Sequence, residues 1–287
     1  MKTGLVMEGG AMRGMFTCGV IDVFLEEHIG FDAAAGISAG AVFGCNFKSG
    51  QIGRPIRYNK RYSRDPRYCS LWSLLTTGDL YGADFCYREL PDRLDPFDRK
   101  AFAENPMAFY VGAADVDSGE IVYHRCGDGG ERDMLWMRAS ASMPAVSRIV
   151  EADGHRLLDG GIVEPVPVRV LEEAGCGRIV CILTQPRGYR KKKSAALPLL
   201  HFALRRTPKM AAAMTVRHEV YNRRMEEIDA KERRGEILVI RPPASLGIRR
   251  TERDPKELER VYQIGRSEAR KTLPAVRAFL SGEKEEP

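Results

Sequence analysis

Ser38 is the residue in this chain best placed to do covalent chemistry. It stands in Gly36-Ile37-Ser38-Ala39-Gly40, a G-x-S-x-G pattern between an apolar run and a stretch with helical spacing. A serine in that context sits on a sharp strand-to-helix turn that lifts its hydroxyl out of the fold. Gly36 and Gly40 let such a strained turn close without clashes. A free hydroxyl is a poor nucleophile, so it needs a base for its proton and donors for the developing oxyanion. Two other glycine-rich stretches offer these. Glu8-Gly9-Gly10-Ala11-Met12-Arg13-Gly14 follows a short apolar run and opens a helix. Backbone N–H groups there point outward, and the helix dipole favours negative charge. Asp159-Gly160-Gly161 follows a hairpin strand, and its two glycines permit a tight turn that presents the carboxylate.

Each stretch also has a plainer reading: a glycine turn packed on a sheet for Ser38, a tight turn or dinucleotide fingerprint for the Gly9 loop, an ordinary turn for Asp159. The dinucleotide reading fits poorly. Ala11 stands where the third fingerprint glycine belongs, and Asp32 lies at the wrong end of its strand for a ribose contact. A Ser-acid-His order is also poorly served. Of His28, His124, His155, His201 and His218, only the last two follow Asp159, in a basic helical stretch without a loop signature. All five read as structural or surface residues.

The elements that must position these groups are legible from periodicity. Residues 3–7 read as a buried strand, 11–28 as a helix, 31–36 as a second strand and 39–48 as a second helix. This β-α-β-α order implies parallel strands with a right-handed crossover. Residues 53–98 interleave Pro, Asp, Arg and aromatics, and read as an insertion or lid of short helices. Its aromatic stretch, Tyr58 to Tyr87, is a candidate wall for acyl chains. Residues 107–116 and 121–125 form a hairpin about Asp117-Ser118-Gly119. A helix over 134–142 stops at Pro144, and a hairpin over 149–158 delivers Asp159. Residues 168–174 form a helix closed by Gly175, followed by a strand over 178–183. A long basic helix over 208–234, a strand over 237–241, an amphipathic helix over 255–280 and an acidic tail over 282–287 complete the chain.

Four stretches together resemble the patatin-like phospholipase family in order and spacing: Gly9 to Gly14, Gly36 to Gly40, Ala139-Ser140-Ala141-Ser142-Met143-Pro144, and Asp159 to Gly161. The resemblance covers residues 3–185. It implies a three-layer α/β/α fold with a mainly parallel central sheet, and a Ser38–Asp159 dyad with no histidine. It implies an oxyanion hole from the amides of Gly9, Gly10 and Ala11, a loop that Arg13 helps to hold, and hydrolysis of acyl lipids through an acyl-enzyme. Where family members carry a third glycine this chain has Ala11, which still donates its amide but narrows the approach. The expected organisation is a catalytic domain over 1–185 with a basic, mainly helical region over 186–287 packed on it. A soluble esterase or thioesterase for short acyl groups is the rival enzyme. An anion- or nucleotide-binding module built on the Gly9 loop is the rival outside catalysis.

Bulk composition is compatible with this. The chain has 287 residues, 44% hydrophobic and 29% charged, which suffices for a sizeable core. Seven cysteines show no C-x-x-C spacing, so no metal site and no cofactor are expected, and reduced thiols point to the cytoplasm. The N-terminal apolar run meets Glu8 too early for a signal segment, and no stretch nears the roughly 18 apolar residues of a membrane span. The net charge of +6 is uneven: residues 187–250 hold 17 Lys and Arg against 6 Asp and Glu. Such an excess either attracts an anionic surface or is a solvated helical face. Peripheral contact with an anionic membrane is thus open, and no nucleic acid is expected as a partner.

Overall fold

The computed structural model describes residues 1–282. β1 (Lys2–Met7) leads through a tight turn into α1 (Gly14–Glu26), then β2 (Ala33–Ile37) and α2 (Ala39–Lys48). The segment before the next strand holds α3 (Arg54–Tyr62), α4 (Leu71–Thr77), a wider π-type helix over Phe85–Leu94, and α5 (Arg99–Glu104). β3 (Ala108–Asp115) and β4 (Ile121–Cys126) form a hairpin, followed by α6 (Glu131–Ser140) and the hairpin of β5 (Val150–Ala152) and β6 (His155–Asp159). Then come α7 (Val168–Glu173), β7 (Cys176–Ile182), α8 (Leu197–Ala203), α9 (Pro208–Arg233), β8 (Ile237–Ile240) and α10 (Pro255–Ser281).

β3, β2, β1, β7 and β8 pair side by side, all parallel. The antiparallel pairings lie on the β3 side, where β3 meets β4 and β6, and β5 meets β6. The parallel strands have apolar, buried centres (Leu5, Val6 and Met7 of β1 and Ile179 to Ile182 of β7 are buried), as expected where helices cover both faces. α1, α2 and α10 pack on one face with Phe16, Phe24 and Val261 in a common core, while α7 and α9 cover the other through Leu171 and Ile228. The fold is α/β, with a mostly parallel central sheet and a helical C-terminal segment.

The C-terminal segment returns to the sheet through β8, which extends the parallel series beyond β7. α10 crosses α1 at a glycine contact. A Cβ on Gly19 would lie 2.1 Å from the Tyr262 carbonyl oxygen, and one on Gly265 2.1 Å from that of Phe16. The acidic tail expected over 282–287 lies, beyond Gly282, outside the described residues.

Candidate active site

The backbone of β3 meters the distance between the two motifs that matter most. Ile37 of β2 pairs with Gly112, and Asp159 of β6 pairs with the next residue, Ala113. β4 occupies the other edge of β3 from Phe109 to Ala114, so β2 and β6 share one edge. They run toward each other and end at adjacent positions, which brings Ser38 to Asp159. The Asp159 carboxylate accepts from the Gly161 amide at 2.7 Å, and the Ser38 hydroxyl lies close enough to steady its charged form. Only 2% of Asp159 is exposed. Burial raises its pKa above the ordinary carboxylate value, against the opposing pull of Arg217, Ser38 and Gly161. The rise makes it a better proton acceptor than a solvated aspartate.

Ser38 takes φ 54° and ψ −122°, a strained conformation for a side-chain-bearing residue. Its amide donates to Ser140 Oγ at 2.8 Å, and Ser140 Oγ donates onward to the Gly112 carbonyl at 2.6 Å. Its carbonyl accepts from the amides of Ala41 and Val42, both at 3.0 Å, which starts α2. Glycine is required on both sides of the turn: a Cβ on Gly36 would lie 2.5 Å from the Gly40 carbonyl, and one on Gly40 2.2 Å from the Met7 carbonyl oxygen. Ser142 holds the other partner, its carbonyl accepting from the Asp159 amide at 2.8 Å. The Ala139 to Pro144 stretch therefore clamps both halves of the pair.

The Gly9 loop lies against the turn. A Cβ on Gly9 would stand 3.0 Å from both the Ile37 carbonyl oxygen and the Ser38 Cβ. Among the described residues, the amides of Gly9, Gly10 and Ala11 donate to no protein acceptor, so three donors are unspent beside the hydroxyl. Ala11 sits at φ 49°, the left-handed region where glycine would be unstrained. The loop is anchored by buried Glu8, whose carboxylate accepts from the Thr184 amide (2.6 Å), Thr184 Oγ1 (3.1 Å) and the Tyr221 hydroxyl (2.9 Å). The Arg13 amide donates to the Gly10 carbonyl at 3.2 Å, and its Nε is buried without a hydrogen-bond partner among the described residues. Gly14 lets α1 pass α2, since a Cβ there would meet the Phe43 ring at 2.8 Å, and Gly160 lets its turn pass the Gly112 carbonyl.

The sequence profile of the family described as Patatin-like phospholipase matches residues 5–172. The chain belongs to the patatin-like phospholipase family. A second profile, a domain of unknown function (DUF6363), matches residues 207–281. The Uncharacterized protein YjjU of Escherichia coli (strain K12) is 29% identical over 191 residues, 64% of this chain and 52% of that protein. A Caenorhabditis elegans patatin-like phospholipase domain-containing protein, ZK370.4, is 27% identical over 62% of this chain and 13% of its own length. Lysophospholipase NTE1 of Saccharomyces cerevisiae is 28% identical over 62% of this chain and 10% of its own. The chain thus spans about half of the length of one of these curated relatives and about a tenth of the other two. Among solved structures, VipD from Legionella pneumophila aligns with a TM-score of 0.46 at 12% identity, over 96% of this chain and 67% of that one.

In this patatin-like chain a cavity of about 770 Å³ opens at Ser38. Two sets of side chains line it. Tyr58, Tyr68, Tyr87 and Leu90, from the segment between α2 and β3, supply the aromatic wall expected there. Lys191, Arg217 and Arg250 supply positive charge. Lys191 turns inward, with its ammonium 4.1 Å from the centre of the Tyr221 ring, while Lys192 and Lys193 stay exposed. Asn222 clamps the Lys191 backbone on both sides, accepting from its amide at 2.8 Å and donating to its carbonyl at 3.0 Å. Arg217 Nε donates to the Gly161 carbonyl at 2.8 Å, so α9 braces the turn that carries Asp159.

Sequence reasoning missed Glu8, Thr184, Ser140, Arg217 and Tyr221 as builders of the site. One signal was present: Met214, Arg217 and Tyr221 share a face of a helix at spacings of three and four, which sets an arginine and a tyrosine beside a buried methionine. Much of the C-terminal charge excess is spent internally, as in Arg187–Glu232 (2.7 Å), Arg224–Glu164 (2.7 Å) and Arg241–Asp229 (2.9 Å). His124 Nε2 lies 2.7 Å from Asp133, and His155 Nδ1 2.7 Å from Asp115. His201 bonds Thr215, and His218 lies at the cavity wall. His124, Cys126 and Asp133 bring potential ligand atoms within 4.8 Å of one another. Both Asp133 oxygens are already occupied there, by His124 and by the amides of Gly127 and Gly129, which reads as a structural knot.

Proposed function

We propose that the chain is a serine acyl-hydrolase acting on acyl esters of phospholipids or related lipids, with Ser38 as nucleophile and Asp159 as its base. One observation carries the reading: a serine on a strained turn set beside a buried carboxylate, next to three unspent amides. Ser38 Oγ attacks the ester carbonyl carbon while its proton passes to Asp159. The carbonyl oxygen, now an anion, receives the N–H groups of Gly9, Gly10 and Ala11. As the tetrahedral centre collapses, Asp159 returns the proton to the departing alcohol and an acyl-Ser38 ester is left. Water then gives its proton to Asp159, attacks the acyl carbon, and Ser38 leaves with that proton. Each step calls on side chains and amides of this chain.

Patatin-like membership supports lipid hydrolysis at the family level, and the aromatic wall suits acyl chains. The catalytic unit we propose is residues 1–185, with 186–287 packed on it and bracing the dyad through Arg217 and Tyr221. We further propose a cytoplasmic enzyme that meets anionic membranes peripherally. Among the described residues no helix is long and apolar enough to cross a membrane. Exposed Leu71, Trp72 and Leu75 on α4 and Leu199 and Phe202 on α8, with Lys192 and Lys193 nearby in sequence, would seat it on a lipid surface.

A fluorophosphonate probe tests the chemistry. The wild type should be labelled at Ser38, and Ser38→Ala should be neither labelled nor active on a panel of lysophospholipids, phospholipids and p-nitrophenyl esters. Asp159→Asn should lose a comparable factor, because the two act as a unit. A folded wild type that resists the probe would point to an anion- or nucleotide-binding module. Turnover confined to short p-nitrophenyl esters or thioesters would make it a soluble esterase or thioesterase.

A further inference from the structure

The positive charge around Ser38 exceeds what the fold consumes. Lys191, Arg217 and Arg250 line one cavity with the nucleophile, and the charge of Arg13 bears on Lys191 and Arg217 as well. Glu8 bears on Lys191 and Asp159 on Arg217, while Asp79, which also lines the cavity, is held by Arg138 and the Arg148 amide. Glu8 is occupied by Thr184 and Tyr221, and Asp159 by the Gly161 amide, with Ser38 beside it. The Lys191 ammonium has a ring face for a neighbour and no carboxylate bond among the described residues. Arg217 uses only its Nε, on the Gly161 carbonyl, which leaves the outer nitrogens of its fork unbonded among the described residues. Arg250 contributes a backbone carbonyl to Tyr81 and makes no side-chain bond among the described residues. Arg13 Nε is buried and unpartnered. Like charges gathered in a half-enclosed space are costly unless an anion completes them.

We propose that Lys191, Arg217 and Arg250 form an anion subsite in the Ser38 cavity that receives the phosphate of the acyl substrate's headgroup. The inference rests on the hydrolase reading above and narrows it, to acyl esters that carry a phosphodiester or phosphomonoester within reach of the scissile carbonyl. Arginine forks and a lysine point charge are the groups that suit phosphate oxygens. Burial first, then Arg217, Arg13 and Arg250, push the Lys191 ammonium down to about 7, with Glu8 opposing. Substrate phosphate would restore its charge, so headgroup recognition should weaken as pH rises through neutrality. Lys191 acts here on substrate choice, and the proton transfers at Ser38 stay with Asp159.

The test compares hexanoyl lysophosphatidylglycerol, whose phosphodiester keeps one negative charge near neutrality, with neutral monohexanoylglycerol. In the wild type the ratio of their kcat/KM values should favour the anion, and should fall as pH rises from about 6 to about 8.5. Lys191→Met should cut that ratio about 10- to 100-fold, the scale of one charge-assisted contact, mainly through KM. Lys191→Arg should keep the preference and flatten its pH dependence. Arg250→Gln should cut the ratio in the same direction. Equal losses on both substrates, or a ratio near one in the wild type, would overturn the subsite and leave hydrolysis standing. A wild type inactive on both would fail the hydrolase reading instead. Calorimetry with inorganic phosphate then decides the subsite separately: binding lost in Lys191→Met supports it, and no binding to the wild type overturns it. The same titration shows whether free phosphate also competes with the lipid headgroup.

Discussion

Ser140 braces the strained turn at Ser38 by bridging its amide to the Gly112 carbonyl. Ser140→Ala leaves that amide and that carbonyl unpaired in a buried place, a cost of about 1–2 kcal/mol in stability. It should also let the nucleophile relax, with kcat falling about 10- to 100-fold and KM little changed, since displacement of a positioned group acts on the transition state. Wild-type kcat in a folded Ser140→Ala protein would show that the turn needs no such brace. Asp159 gives a second test at this scale. It must be ionised to act, and burial raises its pKa. For a neutral ester kcat/KM should therefore fall as pH drops, with a midpoint above the ordinary aspartate value of about 3.9 and with no histidine limb. A limb that disappears in a His218→Gln variant would implicate the one histidine at the cavity wall. Ser38, Asp159 and the Gly9 loop were legible because glycine spacing advertises backbone that must turn sharply. Ser140 stood inside a quoted motif, yet its role depended on the register between β2 and β3, which no local pattern contains. Glu8 and Thr184 were hidden for the same reason: their bond joins residues far apart in the chain.

At the scale of elements, the β-α-β-α opening, both hairpins and α9 stand where periodicity puts them, with ends displaced by a few residues. Periodicity could also name β8 as a strand, but its parallel pairing beside β7 is a long-range choice among edges. The inward turn of Lys191 was illegible because the run Arg190 to Lys193 looks uniformly solvated. Asn222 and Tyr221, on a different element, single out one lysine of the run. The two short helices α4 and α8 carry the clearest unpartnered apolar faces, with Leu75 86% and Phe202 66% exposed. Leu199 lines the cavity, and α4 leads directly into Asp79 and Leu80, which also line it. Changing Leu71, Trp72 and Leu75 together to Ser should weaken binding to anionic vesicles at least about 10-fold, given about 1.5–3 kcal/mol for each fully buried side chain of this size. Raised salt should weaken what remains, as Lys192 and Lys193 are screened. Co-sedimentation of the triple variant indistinguishable from wild type would remove α4 from the membrane face.

Across the whole molecule, α10 is tied to the first helix of the fold by a buried titrating group. Asp22 Oδ2 accepts from the Tyr262 hydroxyl at 2.7 Å and from the Gly53 amide at 2.9 Å, while Oδ1 is buried without a partner among the described residues. Burial lifts its carboxyl to about 6, against the pull of those two bonds and Arg266. The folded state thus holds this proton more tightly than the unfolded chain does. The resulting stabilisation is present at acid pH and is lost as pH rises through about 6. Asp22→Asn mimics the neutral form, so its stability relative to wild type should improve by about 1 kcal/mol between about pH 5 and about pH 8, read from paired urea melts. A constant difference would mean that Asp22 titrates as an ordinary carboxylate. The junction on β3 has a kinetic consequence of another kind. Ser38 is carried by the parallel body of the sheet, whereas Asp159 hangs on a hairpin that touches β3 at three residue pairs, Ala113 to Asp115. Such an edge opens at a lower free energy than the body of a sheet. Gentle heating should therefore disarm the protein before it melts: turnover fades while the far-ultraviolet spectrum holds, and returns on cooling. On the proposed reading, the hairpin would behave as a thermal fuse that switches the activity off before the fold fails.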